Sequence, residues 1–381
     1  MRLISAKDKS YKQESLRGTY VTKSKTLAMM VSIVLVTSLF FMTACQKQEE
    51  IVAPNIETPI IEKEIPEAPK PTTFPLTGLA VSADGKASDA EISDAIHRRP
   101  ISVKLGNTPD ARPQAGVGQA DIVYETLTEG GITRFNCIFQ SYLPAEVGPV
   151  RSARNSDITI VPQYQSLLFF SGANDLVLAQ IAAEGLPNMV HGNAAEIYYR
   201  VDYRVAPHNL YLKLQDAYDA AKANGHDITV TNVPTLNFRS ATSKAPAGAT
   251  AASNIVIPFS DSYVAQWQWD AAANNGSGGW LRSMDGASTD ATTGEQIAPA
   301  NVVVMWGNYL PDNAGGTTLE INVKGEEKAS LFLDGIRIDG KWKTDGTVPP
   351  KFFDNDGNEI ALTLGKTWFE VVQNGTQITV H

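Results

Sequence analysis

Two cysteines, five histidines and an apolar run that stops at sixteen residues set the first limits on this 381-residue chain. Two thiols cannot build the disulfide framework of a small secreted scaffold. His97, His191 and His226 show no metal-ligand spacing with one another or with cysteine, so a zinc site is not expected; no metal or other cofactor is expected for this chain. No strand-like run leads into a glycine-rich phosphate loop, and Ser152 lies outside the GxSxG context of a hydrolase elbow. Basic charge is scarce as well. The formal charge is −9, and the first 44 residues hold seven Lys/Arg against two Asp/Glu, so removing their net +5 leaves −14. Duplex nucleic acid is bound by neutralising phosphates, and a chain this acidic has no footprint for it.

What is present begins with an export leader. Lys23 and Lys25 precede the run Leu27 to Met42, which is shorter than the roughly 20 residues of a spanning helix and closes on the small residues Thr43 and Ala44. Cys45 follows at once, and "MTAC" resembles a bacterial lipobox. The expectation is that residues 1–44 are removed and Cys45 is acylated, which anchors the protein to the membrane on its extracytoplasmic face. Cys137 is then the one thiol left. It alternates with Phe135 and Phe139 in "GITRFNCIFQSY", which reads as the buried face of a strand.

Residues 45–74 mix five prolines with glutamates and lysines, a composition that cannot bury enough apolar surface to fold and that favours an extended linker. From 75 to 239 strand-like runs ("ISVKL", "DIVYETL", "TRFNCIF", "SLLFF") alternate with helical patterns, predicting an α/β or α+β domain. Ser88 with Glu91 reads as a capping box, Asn174 or Asp175 as the cap of "LVLAQIAAE", and Leu214, Ala217, Tyr218 and Ala221 as one apolar helix face. Residues 240–253, "SATSKAPAGATAAS", read as a second linker. Residues 254–381 are short strand candidates with Asp-Gly or Asn-Gly turn signals at 334–335, 339–340 and 374–375, predicting a mostly β domain. "DNDGNE" at 354–359 reads as a hairpin turn.

The candidate site centres on "GPVRSARNSD", residues 148–157. Gly148 and Pro149 read as a turn, and the segment after them as a helix start. Arginine suits planar recognition of phosphate or carboxylate, and free helix amides add positive character. Arg134 projects from the face of its strand opposite Phe135 and Cys137. Arg134, Arg151 and Arg154 therefore form a candidate anion clamp, with Ser152 and Asn155 as hydrogen-bonding partners and Asp121 and Glu125 on the neighbouring strand. The same residues read equally well as a structural network tied to Asp121, Glu125 and Asp157. "DYRVAPHNLYLKL" adds Arg204, His208 and Asn209, with His208 the leading candidate for proton transfer and Glu125 the alternative. Asp110, Arg112 and Gln114 form a polar loop that is either functional or a rigid connector.

"ARPQAGVGQADIVYE", "EGGITRF", "GPVRSAR" and "APHNLY", followed by "LRSMDG", "DGKW" and "LGKTWFEVV", resemble the YerB-like bacterial lipoproteins. The resemblance runs from about Arg99 to the C-terminus. It implies an extracytoplasmic lipoprotein with an N-terminal α/β-type domain and a C-terminal companion domain. The expected partners are the membrane, through Cys45, and an anionic envelope glycan, lipid phosphate or acidic peptide held by the arginines. An envelope enzyme using the same cluster is the alternative. A third is a scaffold that docks an envelope protein, which an exposed patch containing Trp267, Trp269 or Trp280 would favour.

Overall fold

A computed structural model describes residues 72–82, 84–239, 248–311 and 319–381. The leader, Cys45 and the linker up to residue 71 lie outside the described residues. So does most of the stretch expected to be a second linker.

The N-terminal part is α/β and the C-terminal part is mostly β. The N-terminal strands are β1 (Ile101–Gly106), β2 (Ile122–Leu127), β3 (Thr133–Phe139), β4 (Leu167–Phe170) and β5 (Asn188–Val190). The C-terminal part supplies β6 (Asn301–Gly307), β7 (Gly325–Leu333), β8 (Ile336–Thr344), β9 (Lys351–Asp354), β10 (Glu359–Ile360) and β11 (Thr367–Gln373). All eleven belong to one sheet, in the order β10-β9-β8-β7-β6-β11-β2-β3-β1-β4-β5. The join is β11, which runs parallel to β6 on one side and to β2 on the other, with Glu370 opposite Glu125. The parts on either side of residues 240–253 thus share a hydrogen-bonded sheet.

Nearly every residue of β1, β2, β3 and β11 is buried, because both faces of the sheet are covered. Val103, Leu105, Val123, Phe135, Cys137 and Phe139 face one core, together with Ile255, Ile257, Trp267 and Trp280 from a separate four-stranded sheet. Ile122, Tyr124 and Ile138 face the other, against Ile160 and Tyr164. Cys137 is a fully buried free thiol whose pKa burial raises. Trp267 and Trp280 are core, and Trp269 packs against the same cluster, so these three residues do not form the exposed patch that the scaffold reading asks for.

Among the described residues the N-terminal part also holds four α-helices, α1 (Asp89–His97), α2 (Asn155–Gln163), α3 (Asp175–Ala183) and α4 (Leu214–Ala223). Ser88 and Glu91 close a capping box on α1, and Asn174 accepts from the Val177 amide at 2.8 Å at the start of α3. The buried face of α4 is Leu214, Ala217, Tyr218 and Ala221. Asp334-Gly335 joins β7 to β8 as a turn with both residues at positive φ. Asp339-Gly340 does not turn. Gly340 sits within β8, where a Cβ would lie 2.0 Å from the Phe353 carbonyl oxygen, so the glycine serves close strand approach instead.

Candidate functional site

Residues 147–154 form a strap of isolated bridges that passes through the cis Gly148-Pro149 bond, where a turn is expected from the sequence. The strap is hydrogen-bonded on two sides: the Ala115 amide donates to the Gly148 carbonyl at 2.8 Å, and the Val150 amide to the Leu210 carbonyl at 2.7 Å. Gly148 is required because a Cβ there would sit 2.3 Å from the Tyr211 ring. The Arg151 amide then donates to the Lys104 carbonyl at 2.8 Å, which carries the strap across the end of β1. Gly106 makes room for it, since a Cβ there would lie 2.8 Å from Cγ of Arg151.

This path brings the three predicted arginines together. Arg134 is buried and donates from Nη1 to the Ser152 carbonyl at 2.8 Å. Arg154 is the residue before α2 and donates to the Ala153 carbonyl at 2.8 Å. Arg151 is half-buried and donates to the Pro207 carbonyl at 3.0 Å. Burial first, and then the neighbouring Arg151 guanidinium, pull the pKa of Arg134 down to about 10.

Two members of the cluster were not anticipated. Lys104, in the middle of β1, is fully buried and bonds Asp157 Oδ1 at 2.8 Å; the Asn136 amide donates to the same oxygen at 2.8 Å. Asp157 Oδ2 accepts from the Arg154 backbone amide at 2.7 Å, so the start of α2 is capped from within the chain. Glu129, in the "EGG" turn, accepts from Arg154 through Nε at 2.8 Å and through Nη2, and lies 3.7 Å from Nη2 of Arg134. Among the described residues, four cations therefore stand against two carboxylates. The signal for Lys104 was a lysine inside an otherwise apolar strand pattern; for Glu129 it was an acid in the hairpin that leads to Arg134.

Asp121 and Glu125 do not join the arginines, which corrects that expectation. Asp121 sits at the opposite end of β2, where its carboxylate accepts from the Gln140 and Ser141 amides at 2.6 and 2.8 Å. Glu125 is on the opposite face of the sheet from Arg134, because side chains alternate along strands paired at Thr126–Arg134 and Glu125–Phe135. It accepts from Thr133 Oγ1 at 2.6 Å and from Arg282 Nη2 at 2.8 Å.

The remaining residues divide. His208 lies on the Arg151 side, with Nδ1 3.3 Å from Thr108 Oγ1; partial burial and the nearby Arg151 lower its pKa. Arg204 is spent on the Asp110 and Pro113 carbonyls at 2.5 and 2.7 Å. Asn209 pairs with Arg200 at 2.7 Å and with the Val201 carbonyl at 3.3 Å, which closes its own loop. Asn155 contacts Gln180 at 3.4 Å. Arg112 and Gln114 tie their loop to Asn107 and Asp285, the behaviour of a connector. No group of His, Cys, Asp and Glu side chains among the described residues could hold a metal ion.

Residues 86–227 match the N-terminal domain, and residues 255–369 the C-terminal domain, of a family described as Protein of unknown function (DUF3048). The chain belongs to this family. It is 29% identical over 341 residues to a Bacillus subtilis (strain 168) protein named "Putative lipoprotein YerB", covering 87% of this chain and 92% of that one. The crystal structure of YerB protein from Bacillus subtilis superposes with a TM-score of 0.68 at 29% identity, covering 81% of this chain and 99% of that one. The family's two halves are the two parts joined here through β2 and β11, and the arginine strap, residues 147–154, belongs to the N-terminal half.

Proposed function

We propose that this chain is a lipid-anchored protein of the extracytoplasmic membrane face, attached through Cys45, whose N-terminal part binds an anionic envelope ligand at Arg134, Arg151 and Arg154. The observation that carries the reading is the charge balance among the described residues: Lys104, Arg134 and Arg154 pair with Asp157 and Glu129, and Arg151 makes no ion pair. A surplus of two positive charges in an acidic protein is satisfied by an external anion. Arg151 and Ser152 are half-buried, as are Arg154 and Asn155, and Arg151 and Ser152 form the proposed contact edge. The ligand classes that match guanidinium geometry are a phosphorylated glycan, a lipid phosphate or an acidic peptide. Support for the anchor comes from the name of the Bacillus relative. Thermal-shift titration with inorganic pyrophosphate and with a glutamate-rich peptide tests the reading and separates the two anion types. No shift with either, or an undiminished shift in Arg151→Ala, removes it.

One observation favours catalysis as a second reading. His208 stands beside Arg151 with its pKa lowered, so its imidazole is a neutral base at pH 7 next to the proposed anion. Glu125 has no part in it, since it is buried on the other face of the sheet. Hydrolysis of a phosphate ester that His208→Gln abolishes while leaving binding intact is the outcome this reading requires.

A further inference from the structure

The face of the sheet opposite the arginines holds a second cluster. Glu125 on β2 and Glu370 on β11 are register neighbours, both fully buried, and their carboxyl groups lie within hydrogen-bonding reach of each other. One guanidinium serves them. Arg282, from the strand Gly279–Ser283, is 1% exposed; its Nη2 donates to Glu125 at 2.8 Å and its Nη1 to Ser288 Oγ at 2.9 Å. Three aromatic rings enclose it, with Cζ 5.1 Å from the Trp368 centroid, 5.4 Å from Phe135 and 5.8 Å from Trp267. Glu125 also accepts from Asn107 and Thr133, and Glu370 accepts from Trp267 Nε1 at 2.7 Å through Oε1. Oε2 of Glu370 is buried with no donor among the described residues.

Two carboxylates cannot hydrogen-bond to each other, and two buried negative charges against one positive charge leave an uncompensated charge in the core. We propose that Glu125 and Glu370 carry one proton between them at neutral pH and form, with Arg282, a pH-responsive lock between the N-terminal and C-terminal parts. Since the Arg282 guanidinium is bonded to Glu125, the proton resides on Glu370, where Oε2–H reaches Glu125 while Oε1 still accepts from Trp267. Burial first, then Glu125, raise the Glu370 pKa well above the ordinary carboxyl range. The other titratable groups facing the pair are Tyr309, Tyr263 and Cys137, whose pKa values burial also raises, so none of them supplies charge near neutral pH. Arg112, over the Tyr263 ring, is bound to Asp285.

The direction of the effect follows from linkage. In the unfolded chain Glu370 titrates at about 4.3, and in the folded protein higher, so folding takes up a proton between those values. The stabilisation is complete below the unfolded pKa and is lost as pH rises through the folded pKa. The proton goes to bulk water. What remains is a pair of carboxylates at the joint between β2, β11 and Gly279–Ser283.

The test is equilibrium urea denaturation of the intact protein between pH 6 and 9, alongside Glu370→Gln, whose amide reproduces the donor and the acceptor of the protonated acid without titrating. The unfolding constant of the wild type is expected to rise relative to that of Glu370→Gln by about tenfold per pH unit until the folded pKa is reached. Infrared difference spectroscopy of the wild type at pH 7 is expected to show a buried protonated carboxyl band that disappears on isotopic editing of glutamate. Parallel pH slopes for the two proteins, or a spectrum without that band, overturn the proposal. If Glu370→Gln does not fold, the infrared band on the wild type decides alone.

Discussion

Glu129 engages two of the three arginines of the candidate clamp at once, bonding Arg154 through Nε at 2.8 Å and lying 3.7 Å from Nη2 of Arg134. Its carboxylate occupies donors that an external anion would otherwise use, so it acts as an internal competitor. Glu129→Gln keeps the shape and removes the charge. We expect pyrophosphate affinity to rise by about two- to fivefold, the size of a partly exposed ion-pair interaction, with stability changed by no more than about 1 kcal/mol. Isothermal calorimetry at fixed ionic strength measures the first and urea denaturation the second. Weaker binding would mean that Glu129 positions the arginines instead of competing for them.

Lys104 and Asp157 make a different kind of pair, wholly buried and 2.8 Å apart. Removing one partner leaves the other charged, desolvated and uncompensated. Lys104→Met is expected to cost about 3–5 kcal/mol, whereas Lys104→Met combined with Asp157→Asn recovers a good part of that loss. Urea denaturation of the wild type and the variants provides the cycle. A double variant no more stable than Lys104→Met would show that the lysine contributes mainly through packing.

The strap depends on the missing side chain at Gly148. Gly148→Ala places a methyl group 2.3 Å from the Tyr211 ring and is expected to destabilise by about 1–3 kcal/mol through overpacking. Gly192→Ala meets open space, and its effect should stay within about 0.5 kcal/mol. Thermal denaturation of the two variants compares them directly, and equal losses would contradict the close-approach argument.

Local patterns carried much of the fold. Alternation across Phe135, Cys137 and Phe139 placed Arg134 on the other face of its strand, and four residues at helical spacing marked the buried side of α4. Pairing between distant segments left no such local trace. β11 lies more than 230 residues from β2 along the chain, and nothing in "TWFEVV" indicates that it enters the sheet beside "DIVYET". The same limit explains the misplaced acids. Asp121 and Glu125 are close to the arginines in the strand pattern, yet one lies at the opposite end of β2 and the other on the opposite face of the sheet. Lys104 is a lone charge in an apolar strand pattern, and its partner Asp157 lies 53 residues further along the chain, where no local pattern links the two. Asp-Gly at 339–340 carries a turn signal, but β9 packs so close that only glycine fits there.

The central claim is that the arginine cluster binds an anion through Arg151, and calorimetric titration of the full-length protein with inorganic pyrophosphate, compared with Arg151→Ala, tests it most directly. The account predicts saturable binding that weakens with added salt and that falls by about tenfold or more in Arg151→Ala, the loss of one charge-assisted hydrogen bond. An absence of binding by the wild type, or equal affinity in the two proteins, would contradict it.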